Sequence, residues 1–244
     1  MRNVRLDLCY EGTRYRGWQR LSNTDNTLQA KLETALSRIL GETIEVSASG
    51  RTDAGTHAKM QVVNFHCESP MSCDEILTQL RRYLPEDVGI YSCRNVSPRF
   101  HARLNAKTKT YAYRVWNSED PCVFERRFVH IDPRPLSVAE MRKAAAYFLG
   151  EHDFSAFCVN KNAKKSTVRF IQSFDVQASG NEIIFTVTGN GFLHHMVRIM
   201  VGTLLEVGRG ERSTESICSL FGGNRADAGE LIPACGLCLM EVTY

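Results

Sequence analysis

The chain lacks the features that would place it in several common classes. Its 244 residues hold no clean apolar run of membrane length, because the most apolar long window, residues 192–207, carries His194, His195, Arg198 and Glu206. A secretory leader is not expected, since Met1-Arg2-Asn3-Val4-Arg5-Leu6-Asp7 sets charge where such a leader needs an apolar stretch. There is no P-loop, dinucleotide fingerprint, H-E-x-x-H, zinc-finger spacing or RRM signature peptide. Low-complexity tracts and residue-level repeats are also missing. The charge excess is small: 30 Lys and Arg against 27 Asp and Glu leave +3, which permits a polyanionic partner without demanding one. Nine cysteines form an odd set in a chain large enough to build a core without staples, so reduced thiols in a cytoplasmic protein are expected. With 43% hydrophobic and 23% charged residues, disorder, collagen and coiled coil are excluded as whole-chain descriptions.

What is present reads as two halves with one order of elements. Val4, Leu6, Leu8 and Tyr10 alternate as a strand does. Leu28, Leu32, Leu36, Ile39 and Leu40 keep helical spacing, with Asn26 as the expected cap and Gly41 as the stop. Ile44–Val46 and Val62–Phe65 read as strands, and Ser72-Cys73-Asp74-Glu75 as a capping box for a helix that Pro85 stops. Val88–Cys93 closes the first βαββαβ set. The second set follows: a strand at Lys109–Trp116, a helix opened by a second capping box at Ser137-Val138-Ala139-Glu140 and running to Leu149, and strands at Val168–Val176 and Glu182–Thr188 around a Ser179-Gly180-Asn181 turn. A helix from Phe192, an added short helix at Thr214–Phe221 and a strand at Leu237–Val242 complete it. The expectation is an α+β fold of two ferredoxin-like halves, 1–100 and 101–244, joined near 95–108. Two sheets of this kind, laid side by side, would form a broad concave surface that suits an extended polymer better than a small metabolite.

Positive charge is clustered. Arg94, Arg99, Arg103, Lys107, Lys109 and Arg114 occur with no acid between them, interleaved with Phe100, His101, Tyr111 and Tyr113. Lys161, Lys164, Lys165 and Arg169 form a second group, and Arg14, Arg16 and Arg20, near Tyr15 and Trp18, a third. Cations mixed with aromatics suit phosphate neutralisation and base stacking, while a solvated linker with basic turns is the bland alternative.

Two segments look like parts of a site. Ser49-Gly50-Arg51-Thr52-Asp53-Ala54-Gly55-Thr56-His57 joins two strands and sets one acid in a glycine-flanked loop. Asp53 is either an accessible reactive carboxylate or a turn residue capping backbone N–H groups. In the helix after Gly189-Asn190-Gly191, Arg198 lies among apolar neighbours. It either snorkels to solvent or meets a buried acceptor, for which Asp53 is suited. His194 and His195 are expected to point a third of a turn apart, and Cys235 and Cys238 to face opposite sides of a strand, so neither pair suggests a metal. A metal-dependent nuclease or phosphotransferase needs clustered carboxylates, and this loop has one. A non-catalytic RNA-binding module would explain the cations but leave Asp53 without a task.

These residues resemble the tRNA pseudouridine synthase A (TruA) family. The resemblance rests on Gly50-Arg51-Thr52-Asp53-Ala54-Gly55-Thr56-His57-Ala58 and on Tyr10-Glu11-Gly12-Thr13 with Gly17-Trp18-Gln19. It continues in Phe100-His101-Ala102-Arg103 with Lys109-Thr110-Tyr111-Ala112-Tyr113, in Gly189–Leu193 with Met196-Val197-Arg198 and Val201-Gly202-Thr203-Leu204, and in Gly236-Leu237-Cys238-Leu239. Glu230–Ala234 departs from the family's pattern before that last motif. The resemblance implies two α/β halves forming an extended mixed or antiparallel sheet with a central basic cleft. It implies a homodimeric isomerase that converts uridine to pseudouridine at positions 38, 39 and 40 of the tRNA anticodon arm, with no metal or organic cofactor. It implies Asp53 as the catalytic residue, Tyr111 at the uridine, and Arg198 paired with Asp53. Arg51, next to the nucleophile, is the candidate to hold the flipped state, and His57 is not the expected catalyst.

Overall fold

The structure, a computed structural model, describes residues 1–159 and 166–244, so Lys161, Lys164 and Lys165 lie outside the described residues. In chain order the elements are β1 (Arg2–Tyr10), α1 (Leu28–Leu40), β2 (Ser47–Ala48), β3 (His57–Cys67), α2 (Cys73–Tyr83), β4 (Val88–Val96), β5 (Thr108–Trp116) and β6 (His130–Ile131). They continue with α3 (Val138–Ala146), β7 (Gly150–Asp153), β8 (Val168–Ser179), β9 (Glu182–Gly189), α4 (Met196–Gly208) and β10 (Leu237–Thr243). The chain is α+β, as its patterning predicts. It divides into two compact units, residues 1–107 with 239–244 and residues 108–238.

In the first unit β1 runs antiparallel between β3 and β4, with Val4 opposite Phe65 and Leu6 opposite Val63 on one side and Cys93 opposite Leu6 on the other. β2 adds to β3, and β10 lies beside β3. Alternation gives β1 two faces. Val4, Leu6 and Leu8 join Leu32, Leu36, Ile76 and Leu80 of the helices in the core, each fully buried leucine contributing about 1.5–3 kcal/mol. The opposite face carries Asn3 and Arg5, and the segment after β4 is tied to it. Asn3 Nδ2 donates to Ser97 O (2.9 Å) and Phe100 O (2.8 Å), and Ala102 N donates to Asn64 Oδ1 (2.8 Å). The Arg5 guanidinium lies 4.6 Å from the Tyr244 ring centroid and 5.6 Å from that of Phe100. Ala102 is fully buried, while Arg99, Arg103 and Lys107 on the same segment face solvent.

Two local expectations change here. Thr27, not Asn26, caps α1 by accepting from Ala30 N, and Asn26 instead donates to Arg14 O (2.7 Å). Ile44–Val46 is not a strand; the strand is displaced to Ser47–Ala48. Ile44 and Val46 are buried, but their N–H groups are taken by Ser37 Oγ (2.9 Å) and Glu33 Oε1 (3.1 Å) rather than by a strand. Apolar character there reflects burial rather than sheet pairing.

The second unit orders its strands β5-β9-β8-β7, all antiparallel, with β6 parallel to β5. Tyr111 stands opposite Val187 and Tyr113 opposite Phe185. The expected order is present as far as α4, with β6 and β7 added; the strand expected to close the set, β10, falls mostly in the first unit, beside β3. α3 stops at Ala146 rather than Leu149, which frees Phe148 to enter an aromatic core with Phe154 and Phe157. α4 starts at Met196 rather than Phe192, because His195 takes a left-handed conformation (φ 67°) that helices do not admit.

Candidate active site

The Asp53 loop is held from behind by the turn that follows β1. The fit is backbone against backbone. A Cβ on Gly12 would collide with the Thr56 carbonyl, and one on Gly17, itself at φ 91°, would stand 2.9 Å from Thr52 O. Trp18 N donates to Thr52 O (3.0 Å) and Gly12 N to His57 Nδ1 (3.0 Å). The two glycine motifs of the sequence are thus one device, the first giving the second room.

Side chains complete the brace. Tyr10 OH and Thr52 Oγ1 are 2.8 Å apart, Gln61 Nε2 donates to Gly50 O (3.0 Å), and Ser49 Oγ donates to Gln61 Oε1 (2.6 Å). Thr56 N closes a turn on Asp53 O (3.1 Å), with Gly55 at φ 81°. What remains reachable is the outer edge: Arg51 and Ala54 are exposed and Asp53 is half-buried, while Thr52, Thr56 and His57 are buried. His57, 4% exposed, is an acceptor for the brace, which explains its place in the motif without a catalytic task. The structural importance of Gln61 was not legible, since a glutamine inside a strand carries no signal; its burial among backbone acceptors is visible only in the fold.

In the second unit Tyr111 is buried on β5 and meets Phe192 edge-on, with ring centroids 5.2 Å apart. Arg198 is half-buried on α4, where its Nε donates to Ile232 O (2.8 Å). Within its own unit, therefore, this guanidinium meets a backbone carbonyl. The segment supplying it, residues 229–233, lies along α4: a Cβ on Gly202 would collide with Glu230 O, and Gly229 N donates to Thr203 Oγ1 (2.9 Å).

Other expectations are corrected. The rings of His194 and His195 do not diverge but lie with centroids 3.6 Å apart, tilted by 32°, again because His195 is left-handed. Neither unit by itself gathers three metal-ligating side chains among the described residues. The third cationic group is exposed, but two of its members are paired with acids of the same unit. Arg14 pairs with Asp87 (2.6 Å) and Arg20 with Glu33 (3.1 Å), while Tyr15 and Trp18 are buried and offer no face to a base. The Tyr15 phenol is pushed well above its usual range by burial and by its hydrogen bond to Asp87. Arg94 and Arg114 are likewise committed, to Asp7 (3.2 Å) and Glu182 (2.6 Å).

A loop that offers one reachable carboxylate on a rigid frame suits an enzyme whose chemistry turns on a single acid. Comparison with known proteins makes this specific. A family model described as tRNA pseudouridine synthase matches residues 9–105 and 144–244. These stretches contain Arg51, Asp53 and Arg198, and Tyr111 falls between them. Over the whole of both chains the sequence is 42% identical to "tRNA pseudouridine synthase A" of Bacillus sp. (strain KSM-64), to "tRNA pseudouridine synthase A 2" of Bacillus cereus (strain ZK / E33L) and to "tRNA pseudouridine synthase A 1" of Clostridium tetani (strain Massachusetts / E88). The chain belongs to the tRNA pseudouridine synthase family.

Proposed function

We propose that this protein isomerises uridine to pseudouridine in the tRNA anticodon arm, at positions 38, 39 and 40. The observation that carries the reading is the half-buried Asp53 carboxylate on a loop whose backbone is fixed from behind by Gly12, Gly17 and Gln61. In the reaction uracil leaves C1′ at N1, turns, and reattaches through C5, which gives up its hydrogen. Nothing is oxidised and no group passes to a second substrate, so neither a hydride nor a phosphoryl donor is needed.

Each residue then has a task. Asp53 supplies the carboxylate, and both routes open to it, attack at C1′ and removal of a ribose proton, require the ionised form. Arg198 is assigned as its cationic partner; this pairing rests on the family resemblance. Flipping the nucleotide costs a few kcal/mol. Arg51, exposed beside Asp53, fills the vacated space, and Tyr111 stacks on the extruded base for about 1–3 kcal/mol. Arg99, Arg103 and Lys107, held outward by the anchored Ala102 segment, take backbone phosphates. The working form is a homodimer in the cytoplasm; no helix among the described residues is long and apolar enough to cross a membrane.

Nucleoside mapping of tRNA from cells lacking this protein tests the substrate. Pseudouridine is expected to vanish at positions 38, 39 and 40 and to return with the wild-type gene. An unchanged pattern rejects the reading. Turnover unaffected by a chelator is expected as well, and its abolition would favour metal-dependent chemistry instead.

A further inference from the structure

The Lys109–Tyr113 motif contains a second tyrosine that the chemistry above does not use. Strand alternation sets Tyr111 and Tyr113 on one face of β5. Tyr113 is completely buried, and its OH donates to Pro233 O (2.7 Å). Its ring lies so close to the main chain that a Cβ on Gly236 would stand 2.8 Å from two of its carbons. The next carbonyl back along the chain, that of Ile232, accepts the Nε of Arg198 (2.8 Å). Two consecutive carbonyls of one strap are thus held by two side chains, one from β5 and one from α4. The strap is also fixed upstream, where Gly229 N donates to Thr203 Oγ1 and Glu230 presses on the bare face of Gly202. Burial raises the Tyr113 phenol far above its usual range, so it remains a proton donor wherever the protein works.

We infer that Tyr113 is a positioning residue, whose phenol fixes the Pro233 carbonyl and through Ile232 sets the orientation of the Arg198 guanidinium. The geometry is economical. The bond from Nε commits one edge of the guanidinium to the strap and so sets its orientation, which matters because displacement of a reacting group by about 1 Å can cost up to roughly a hundredfold in rate. The inference deepens the reading proposed above and rests on the role given there to Arg198.

Tyr113→Phe removes the hydroxyl and keeps the buried ring, so the fold survives. In single-turnover assays on full-length protein we expect the rate of the chemical step to fall about tenfold, with tRNA affinity unchanged within about twofold. A merely structural role would combine with other lesions, so the deciding measurement is a cycle with Arg198→Met. The double variant is expected to be no slower than Arg198→Met alone, because there is then no guanidinium left to aim. A wild-type rate for Tyr113→Phe beside a slow Arg198→Met overturns the inference and leaves the Arg198 reading standing, as does a double variant slower than Arg198→Met by the full Tyr113→Phe factor. A wild-type rate for Arg198→Met overturns the reading itself, and the inference with it.

Discussion

The Asp53 loop and the Arg198 helix are fixed in opposite ways. The loop has little regular structure of its own and borrows rigidity: the turn after β1 supplies bare glycine faces, Gln61 donates to Gly50 O, Tyr10 meets the Thr52 hydroxyl, and His57 accepts from Gly12 N of that turn. α4 is regular already, and there the irregular partner is the strap 229–233, whose carbonyls are held by Arg198 and Tyr113. In the first case scaffold side chains serve the loop that carries Asp53. In the second Arg198 is itself one of the anchors. Truncations around Asp53 should therefore act mainly on stability, whereas the lesions that matter near Arg198 should act on rate.

The largest effect is expected where backbone meets backbone. Gly12→Ala drives a methyl into the Thr56 carbonyl and should cost more than about 3 kcal/mol, with loss of turnover as the loop is displaced; chemical denaturation and a turnover assay check both. Gly202→Ala sharpens the comparison, because alanine improves helix propensity by about 1 kcal/mol while its Cβ strikes Glu230 O. A net loss of about 2 kcal/mol or more is expected, and a stabilised variant would show that the strap yields easily. His57→Ala strands the Gly12 N–H and should cost about 2–3 kcal/mol. At a temperature where it stays folded, its rate should remain within about tenfold of wild type; a loss of several orders of magnitude would make His57 a catalyst. The smallest effect has the opposite sign. Thr56 Oγ1 is buried without a hydrogen-bond partner, so Thr56→Val should add about 1 kcal/mol of stability and raise Tm by about 2–4 °C.

Much of this was legible in the residues, and the failures have causes. The capping box at Ser72 and Glu75 formed as written because both partners are local. At Ser137 and Glu140 only half of one formed, since Lys143 (2.6 Å) and Thr214 (3.2 Å) draw the Glu140 carboxylate away. β7 escaped notice because it is four residues long and opens on a glycine at φ 93°. The Asp53 loop declared itself through glycines that a turn and a close approach both require. The cations beside Tyr15 and Trp18 misled, because a sequence does not reveal that Asp87 and Glu33 wait for Arg14 and Arg20. Tyr113 was in view within its motif, but its partner is a proline carbonyl 120 residues away, and no spacing rule reaches that far.

The account turns on the Asp53 carboxylate, and one substitution isolates it. Asp53→Asn keeps size and shape while removing the charge. With tRNA tritiated at C5 of uridine, the wild-type protein should release label as C5 exchanges its hydrogen for the new glycosidic bond. The Asn variant should bind the same tRNA within about threefold and release nothing above background. Label released at the wild-type rate by the Asn variant would contradict the assignment.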